Sequence, residues 1–127
     1  MTDDRIAIPG SAVTRSPGVE RMRTADPNQI IEPTIVVRRP ADLNAVVDFA
    51  RLQGLQILEE SAAKRMVRVR GSIQQMNAAF GIDLAHYSAP DGTGFLSYDG
   101  SLTATALAAP AILAVLGLHQ QPVARRR

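Results

Sequence analysis

The chain has 127 residues, a length that fits one ordinary domain and leaves too little material for two independent hydrophobic cores. Hydrophobic residues make up 46% and charged residues 20%, which is typical of a globular protein and argues against a disordered one. The formal net charge is +2, but the arginines at positions 125–127 contribute +3, so the rest of the chain carries −1. Because the body has no basic excess and only three Phe and two Tyr, the composition does not indicate a nucleic-acid partner.

Several other classes of protein are excluded by what the chain lacks. It has no cysteine, which rules out disulfides, thiol catalysis and thiolate metal sites. The longest apolar run, Ala106–Leu118, is shorter than the roughly 20 residues of a membrane span and is interrupted by Pro110 and Gly117, so no membrane association is expected. Asp3 and Asp4 stand where a secretory signal would be basic, so no signal peptide is predicted in this chain.

The distribution of proline and glycine divides the chain into three parts. Residues 1–29 are rich in both and show no periodicity, which predicts an extended or flexible leader. Periodic apolar patterns occupy residues 30–118, the predicted folded domain. Residues 119–127 contain Pro122 and three terminal arginines, and we interpret them as the start of a C-terminal linker.

The first elements of the domain follow from local signals. The β-branched run Thr34–Arg39 predicts a strand. A helix is expected next, with Asp42 as its N-cap and Gly54 just beyond its last turn. Two short strands, Leu55–Leu58 and Met66–Arg70, follow and predict a hairpin.

The second strand of this hairpin has a clear alternation. Val67 and Val69 point to one side, and Arg68 and Arg70 point to the other, as in a strand with one buried face. The two arginines either meet an acidic partner or keep the sheet soluble.

The second half of the domain is predicted in the same way. Ser72 and Gln75 have the spacing of a capping box, so a helix is expected to begin there and to end at Gly81. The remaining predicted elements are a strand over 82–88, a turn over 90–94, a strand over 95–98 and an apolar helix over 105–116.

From residue 34 to residue 88 the order of elements is therefore β-α-β-β-α-β. This order predicts an α+β, ferredoxin-like fold, an antiparallel sheet with two helices on one face, followed by a C-terminal hairpin-like segment and helix. Such a sheet leaves its second face open for solvent or a partner.

No catalytic pattern is present. His86 and His119 have no cysteine or helically spaced histidine beside them, so no metal site is predicted. The serines lack a nucleophile-elbow pattern, and Gly92-Thr-Gly94 is typical of a hairpin turn, not of a phosphate-binding loop. We therefore predict no catalytic residue, no cofactor and no enzymatic activity for this chain by itself.

Seven segments are familiar when they are taken together and in order: Thr34–Arg39, Asp42–Leu55, Val67–Gly71, Met76–Ile82, His86–Thr93, Pro110–Leu118 and Gln121–Arg125. In this order they resemble the activation prodomain of the sedolisin (kumamolisin-type) serine-carboxyl peptidases. The resemblance covers about residues 30–125, although the connection Pro40-Ala41 is shorter than is usual in that family. The family's catalytic Glu and Asp and its Ser-Gly-Thr-Ser segment have no counterpart here, so the chain resembles only the prodomain.

The resemblance implies a function that agrees with an open sheet face. Such prodomains lay one surface on a catalytic domain, assist its folding and hold it inactive until acid triggers cleavage. The expected partner is therefore a sedolisin-type catalytic domain, on the same chain or a separate one, and an extracellular destination would suit a secreted precursor. The residues predicted to contact the partner are Arg68, Arg70, His86, Asp91, Phe95 and Tyr98. The residues predicted to form the linker toward the peptidase are Gln121, Pro122 and Arg125. The carboxylates that are candidates for sensing acid are Asp83, Asp91 and Asp99.

A second hypothesis remains open at this stage. The chain would then be a free-standing ferredoxin-like binding module, or would form a homodimer through its open sheet. An RNA-binding version would need stacking aromatic residues on the middle strands, and Thr34–Val37 and Val67–Arg70 contain none.

Overall fold

The computed structural model describes residues 5–120 and contains, in that range, ten strands and two α-helices. The helices are α1 (Leu43–Leu52) and α2 (Ile73–Phe80), and single 3-10 turns occupy Pro40–Asp42 and Ala109–Ala111. The strands are β1 (Arg5–Ala7), β2 (Glu20–Thr24), β3 (Ile30–Ile31), β4 (Thr34–Val37), β5 (Gln56–Ser61), β6 (Met66–Ser72), β7 (Ala85–Ser88), β8 (Gly94–Ser97), β9 (Thr103–Thr105) and β10 (Ile112–Leu116).

The main sheet has the order β10-β4-β6-β5, and each of these neighbours is antiparallel. Strand β3 pairs with the far end of β6. Both helices cover the same face of the sheet, and the rings of Phe49 in α1 and Phe80 in α2 lie 5.8 Å apart. Buried side chains such as Ile35, Val67 and Val69 fill the space between the sheet and the helices. The predicted α+β, ferredoxin-like class is confirmed.

The start and end of α2 were predicted correctly from the sequence. The side chain of Ser72 accepts a hydrogen bond from the backbone N–H of Gln75, and the side chain of Gln75 accepts one from the backbone N–H of Ser72. These two bonds satisfy N–H groups that the first turn of a helix leaves free. Gly81 ends the helix in the left-handed conformation, with φ of 66°.

The start of α1 differs in detail from the prediction. Asp42 occupies the N-cap position, but its side chain makes no capping hydrogen bond. The carboxylate instead pairs with the Arg39 guanidinium at 3.2 Å, and the chain enters α1 through the 3-10 turn that Pro40 begins. Gly54 follows the last turn with φ of 80°, as predicted.

The predicted apolar helix over residues 105–116 is wrong. Strand β9 ends at Thr105, the 3-10 turn contains Pro110, and the residues that follow form β10. Proline cannot donate the hydrogen bond of a helix interior, and residues 112–116 find a partner in β4 instead. Ile112 faces the core and is fully buried.

Because residues 112–116 form a strand, the strand that completes the main sheet is not the predicted one. The sequence placed the fourth strand at residues 82–88, but β10 occupies that position beside β4. The strand within 82–88 is β7, which lies between β2 and β8 in a separate three-stranded antiparallel sheet, the small sheet.

The N-terminal residues lie along the domain. Strand β1 pairs with β9, and the Arg5 guanidinium donates to the backbone oxygen of Ala79 near the end of α2. Ile8 and Ala25 are buried in the main core. Residues 5–29, predicted to be an extended leader, thus contain two strands and contribute side chains to the core.

Candidate functional site

The face of the main sheet that points away from α1 and α2 is called here the open face. The alternation of β6 places Val67 and Val69 toward the helices and Arg68 on the open face, as predicted. Cross-strand pairing sets Arg68 opposite Thr34, which is itself opposite Leu116. The neighbouring cross-strand row consists of Met66, Val36 and Ala114.

The open face is apolar where β10, β4 and the start of β6 meet, and polar where β6 pairs with β5, since Gln56 and Glu59 lie opposite Arg70 and Arg68. Leu116 is 56% exposed, and Val36, Met66 and Ala114 are partly exposed. Neighbouring apolar side chains that stay in contact with water on one face of a sheet form a surface suited to burial against a partner.

The charges around this apolar surface are mostly paired within the chain. Arg70 contacts Glu32 at 2.9 Å, and Lys64 contacts Glu59 at 3.5 Å. Arg68 is exposed and has no ion pair in the described part of the chain. Its cross-strand neighbour on β5 is Glu59, whose carboxylate contacts Lys64, so the Arg68 guanidinium is left for a carboxylate from outside.

The residues predicted to contact a partner fall into two groups. Arg68 and Arg70 lie on strand β6 of the main sheet. His86, Asp91, Phe95 and Tyr98 belong to the small sheet or its connections. The structure therefore does not bring the predicted residues together in one patch, and Gln121, Pro122 and Arg125 lie outside the described residues.

The two aromatic residues in this set are inside the domain. Phe95 is 7% exposed and Tyr98 is 4% exposed. Burial raises the pKa of the Tyr98 phenol, whose hydroxyl donates to the backbone oxygen of Ser11 at 2.8 Å. The other Phe and Tyr side chains, Phe49, Phe80 and Tyr87, are buried as well, so no phenylalanine or tyrosine ring is exposed for a base to stack on.

His86 and Asp91 occupy more accessible positions. His86 is partly exposed on β7, opposite Arg23 of β2 and Leu96 of β8. Asp91 lies in the turn between β7 and β8 and accepts the backbone N–H of Thr93 at 2.9 Å. This hydrogen bond, together with one from the Thr93 side chain, lowers the pKa of the Asp91 carboxyl group.

The other candidate acid-sensing carboxylates are bonded within the chain. Asp83 contacts Arg21 at 2.9 Å, and Asp99 contacts Arg15 at 2.5 Å. The Arg15 guanidinium also lies over the Tyr87 ring, 5.3 Å from its centroid. All three carboxylates belong to the small-sheet side of the molecule and are not part of the open face.

One contact between distant residues has no signal in the sequence. Ser97 Oγ lies 2.5 Å from Nδ1 of His119, whose ring packs edge-on against Phe95 with centroids 6.4 Å apart. Ser97 is 2% exposed, and in the described part of the chain no carboxylate pairs with His119. The contact joins the end of the described chain to β8.

Two other kinds of site are absent from residues 5–120. No three side chains of the metal-ligating types come together there. None of the described helices is long and apolar enough to cross a membrane.

The observed fold defines the class of the protein as a ferredoxin-like α+β domain with one uncovered sheet face. A family model described as the pro-kumamolisin activation domain matches residues 34–120, which is more than half of the chain. The chain belongs to this family of peptidase activation domains, and the resemblance predicted from the sequence is confirmed.

A curated relative agrees with this membership. The chain is 37% identical over 84 residues to kumamolisin from Bacillus sp. (strain MN-32), and the alignment covers 66% of this chain. It covers 15% of kumamolisin, so the chain spans only a small part of that relative's length.

Proposed function

We propose that this chain is the propeptide of a sedolisin-type serine-carboxyl peptidase, which inhibits the catalytic domain and assists its folding until cleavage releases it. Membership of the activation-domain family supports the peptidase partner. The observation that carries the binding role is the open face, where Arg68 has no ion pair within residues 5–120, lies beside Met66 on β6 and shares a cross-strand row with Thr34 and Leu116.

The chemistry of the open face specifies what the partner must offer. An apolar patch on the catalytic domain would remove Leu116, Val36 and Met66 from water, which is the main favourable contribution to such an association. A carboxylate at the edge of that patch would pair with Arg68 and fix the orientation of the two surfaces. Arginine is one of the residue types that most often dominate the binding energy of an interface.

Inhibition and folding assistance then follow from one binding preference. A propeptide that binds the native catalytic domain and not its unfolded chain lowers the free energy of the folded form by mass action. The residues after Gln120 would continue from a fixed point, because the Gln120 backbone N–H donates to the Leu96 oxygen at 2.8 Å and Leu118 is buried. A linker that starts from a fixed point can be directed across the active site like a substrate.

A titration of the 127-residue chain into an active sedolisin-type peptidase tests the proposal. We expect Arg68→Glu and Leu116→Asp each to weaken inhibition at least tenfold. A tenfold loss corresponds to about 1.4 kcal/mol of binding free energy. Arg23→Glu is the matched control, because Arg23 is an exposed arginine on β2 of the small sheet. Equal inhibition by all four proteins would show that the open face is not the binding surface, and no inhibition by any of them would contradict the inhibitor role.

The folding role needs a separate measurement. We expect acid-unfolded or denaturant-unfolded peptidase domain to regain more activity when it is diluted into buffer that contains the chain, and less when it contains Arg68→Glu. Recovery that is the same with and without the chain would remove the chaperone role and would leave inhibition to be judged on its own assay.

A further inference from the structure

A second exposed apolar surface lies on the helix side of the main sheet. Leu52 and Leu107 are each 85% exposed, the largest values among the large apolar side chains that the structure describes. Both line one surface groove, between α1 and the segment that follows β9. Ala45, Phe49 and Ala108 also line the groove, so its walls are mainly apolar. We call this surface the helix-side groove.

Two charged residues of α1 lie beside the exposed leucine. Asp48 lines the groove, and Arg51 stands three residues further along the same helix. Both are exposed, and neither has an ion pair within residues 5–120. The surface therefore carries an unpaired acid, an unpaired base and a protruding leucine within two turns of one helix.

We propose that the helix-side groove binds a second copy of this chain, with the two α1 helices antiparallel across a two-fold axis. An isologous interface must be complementary to itself, and antiparallel pairing makes this surface so. Arg51 of one copy lies opposite Asp48 of the other, which gives two symmetric ion pairs. Leu52 of each copy enters the groove of the other beside Leu107.

Charge complementarity and the position of the groove favour this occupant. When two copies face each other, the acid of each helix meets the base of the other, so all four charges are paired. A partner with charges of one sign would leave either Asp48 or Arg51 unpaired. The groove lies on the side of the main sheet opposite the open face, so a dimer of this kind leaves the open face free. This inference therefore does not depend on the proposed function.

Sedimentation velocity of the 127-residue chain, from about 1 μM to about 1 mM, is the first test. We expect the mass to rise from 13.6 kDa toward twice that value within this concentration range. Leu52→Asp should keep the protein monomeric over the whole range. Leu116→Asp, on the open face, is the matched control and should leave the association unchanged.

A charge swap tests the antiparallel arrangement itself. Asp48→Arg alone and Arg51→Asp alone should each weaken dimerisation at least tenfold, because each places like charges opposite one another. The double variant Asp48→Arg/Arg51→Asp restores opposite charges across the two-fold axis and should recover most of the dimer. All these positions are on the surface, and a far-UV circular dichroism spectrum confirms that each variant folds.

Three results would overturn the proposal of an antiparallel dimer. A monomer at every concentration removes the dimer. An association that Leu116→Asp abolishes and Leu52→Asp does not would assign the contact to the open face. Single variants that dissociate without recovery in the double variant would reject the antiparallel pairing. Inhibition of a peptidase by the Asp48→Arg variant is measured separately from dimerisation. A failure of the dimer proposal can therefore be distinguished from a failure of the proposed function.

Discussion

Ser97 Oγ lies 2.5 Å from His119 Nδ1, and this contact ties the last described residues of the chain to the small sheet. Beside it, the Gln120 backbone N–H donates to the Leu96 oxygen at 2.8 Å. The point where the C-terminal segment leaves the domain is therefore held by a side-chain bond and a backbone bond to the same strand.

The variant Ser97→Ala should loosen this exit point. The lost hydrogen bond is expected to lower the free energy of unfolding by only about 1 kcal/mol, because the exposed imidazole can turn to water. Amide hydrogen exchange of Gln120 should become faster than in the unmodified chain, while exchange in α2 should stay the same. His86→Gln, on the neighbouring strand, is the control. Unchanged Gln120 exchange in Ser97→Ala would show that the backbone bond alone holds the exit.

The capping box of α2 gives a stability prediction. Ser72→Ala removes the acceptor for the Gln75 N–H, which lies 3.1 Å from Ser72 Oγ, and should lower the free energy of unfolding by about 1 kcal/mol. Urea unfolding followed by circular dichroism measures the change. Gln74→Ala, an exposed position in the same helix, should change stability by less than about 0.5 kcal/mol. Equal effects of the two substitutions would contradict a capping role.

Gly81 is required for two separate reasons, which can be measured apart. Its φ of 66° is a conformation that disfavours other residues, and a Cβ there would lie 2.5 Å from Thr103 Oγ1. Gly81→Ala should therefore cost more than Gly100→Ala, whose φ is 83° but whose Cβ would meet nothing within 4 Å. We expect about 1 kcal/mol for Gly100→Ala and at least twice that for Gly81→Ala.

A double variant isolates the steric part of the Gly81 effect. Thr103→Ala removes the clashing hydroxyl, so adding Gly81→Ala to it should cost about as much as Gly100→Ala costs in the unmodified chain. Thermal and urea unfolding provide the free energies. An undiminished cost of Gly81→Ala in the Thr103→Ala background would mean that backbone strain alone accounts for the requirement.

The turn between β7 and β8 should contribute a pH-dependent stability. The Thr93 backbone N–H lowers the pKa of the Asp91 carboxyl group. Because the folded-state pKa is below the unfolded-state pKa, the contribution is complete above the unfolded-state value and is lost as pH falls through the folded-state value. Asp91→Ala should therefore destabilise the protein at about pH 6 and have a smaller effect at about pH 2.

Urea unfolding of both proteins at the two pH values checks the prediction for Asp91. Glu60→Ala is the control, since Glu60 is exposed and has no ion pair in the described part of the chain. A destabilisation by Asp91→Ala that is the same at both pH values would mean that the carboxylate charge does not stabilise the turn.

Local signals in the sequence were sufficient for the elements with strong caps and clear alternation. The bounds of α2 follow from Ser72 and Gly81, and the inward and outward positions of β6 follow from the alternation of valine and arginine. These features depend on residues within a few positions of one another. The family resemblance is likewise carried by short segments in a fixed order, so it too is evident from the sequence.

The tertiary structure alone decided the positions that depend on long-range pairing. Residues 112–116 have an apolar composition that suits a helix or a strand, and β4, about 80 residues earlier, selects the strand. For the same reason β7, with an equally good strand signal, belongs to the small sheet and not to the main one.

The candidate site divides in the same way. Alternation along β6 was enough to place Arg68 on an exposed face, but the exposure of Leu116 depends on which strand lies beside β4. Phe95 and Tyr98 were expected at a surface and are buried, because residues far away in sequence cover them, such as Ser11 and His119. The sequence determined the order of elements from residue 34 to residue 88 and the family to which the chain belongs, but not the strands within residues 5–29. Only packing determined which side chains remain in contact with water, because burial depends on neighbours that local patterns do not contain.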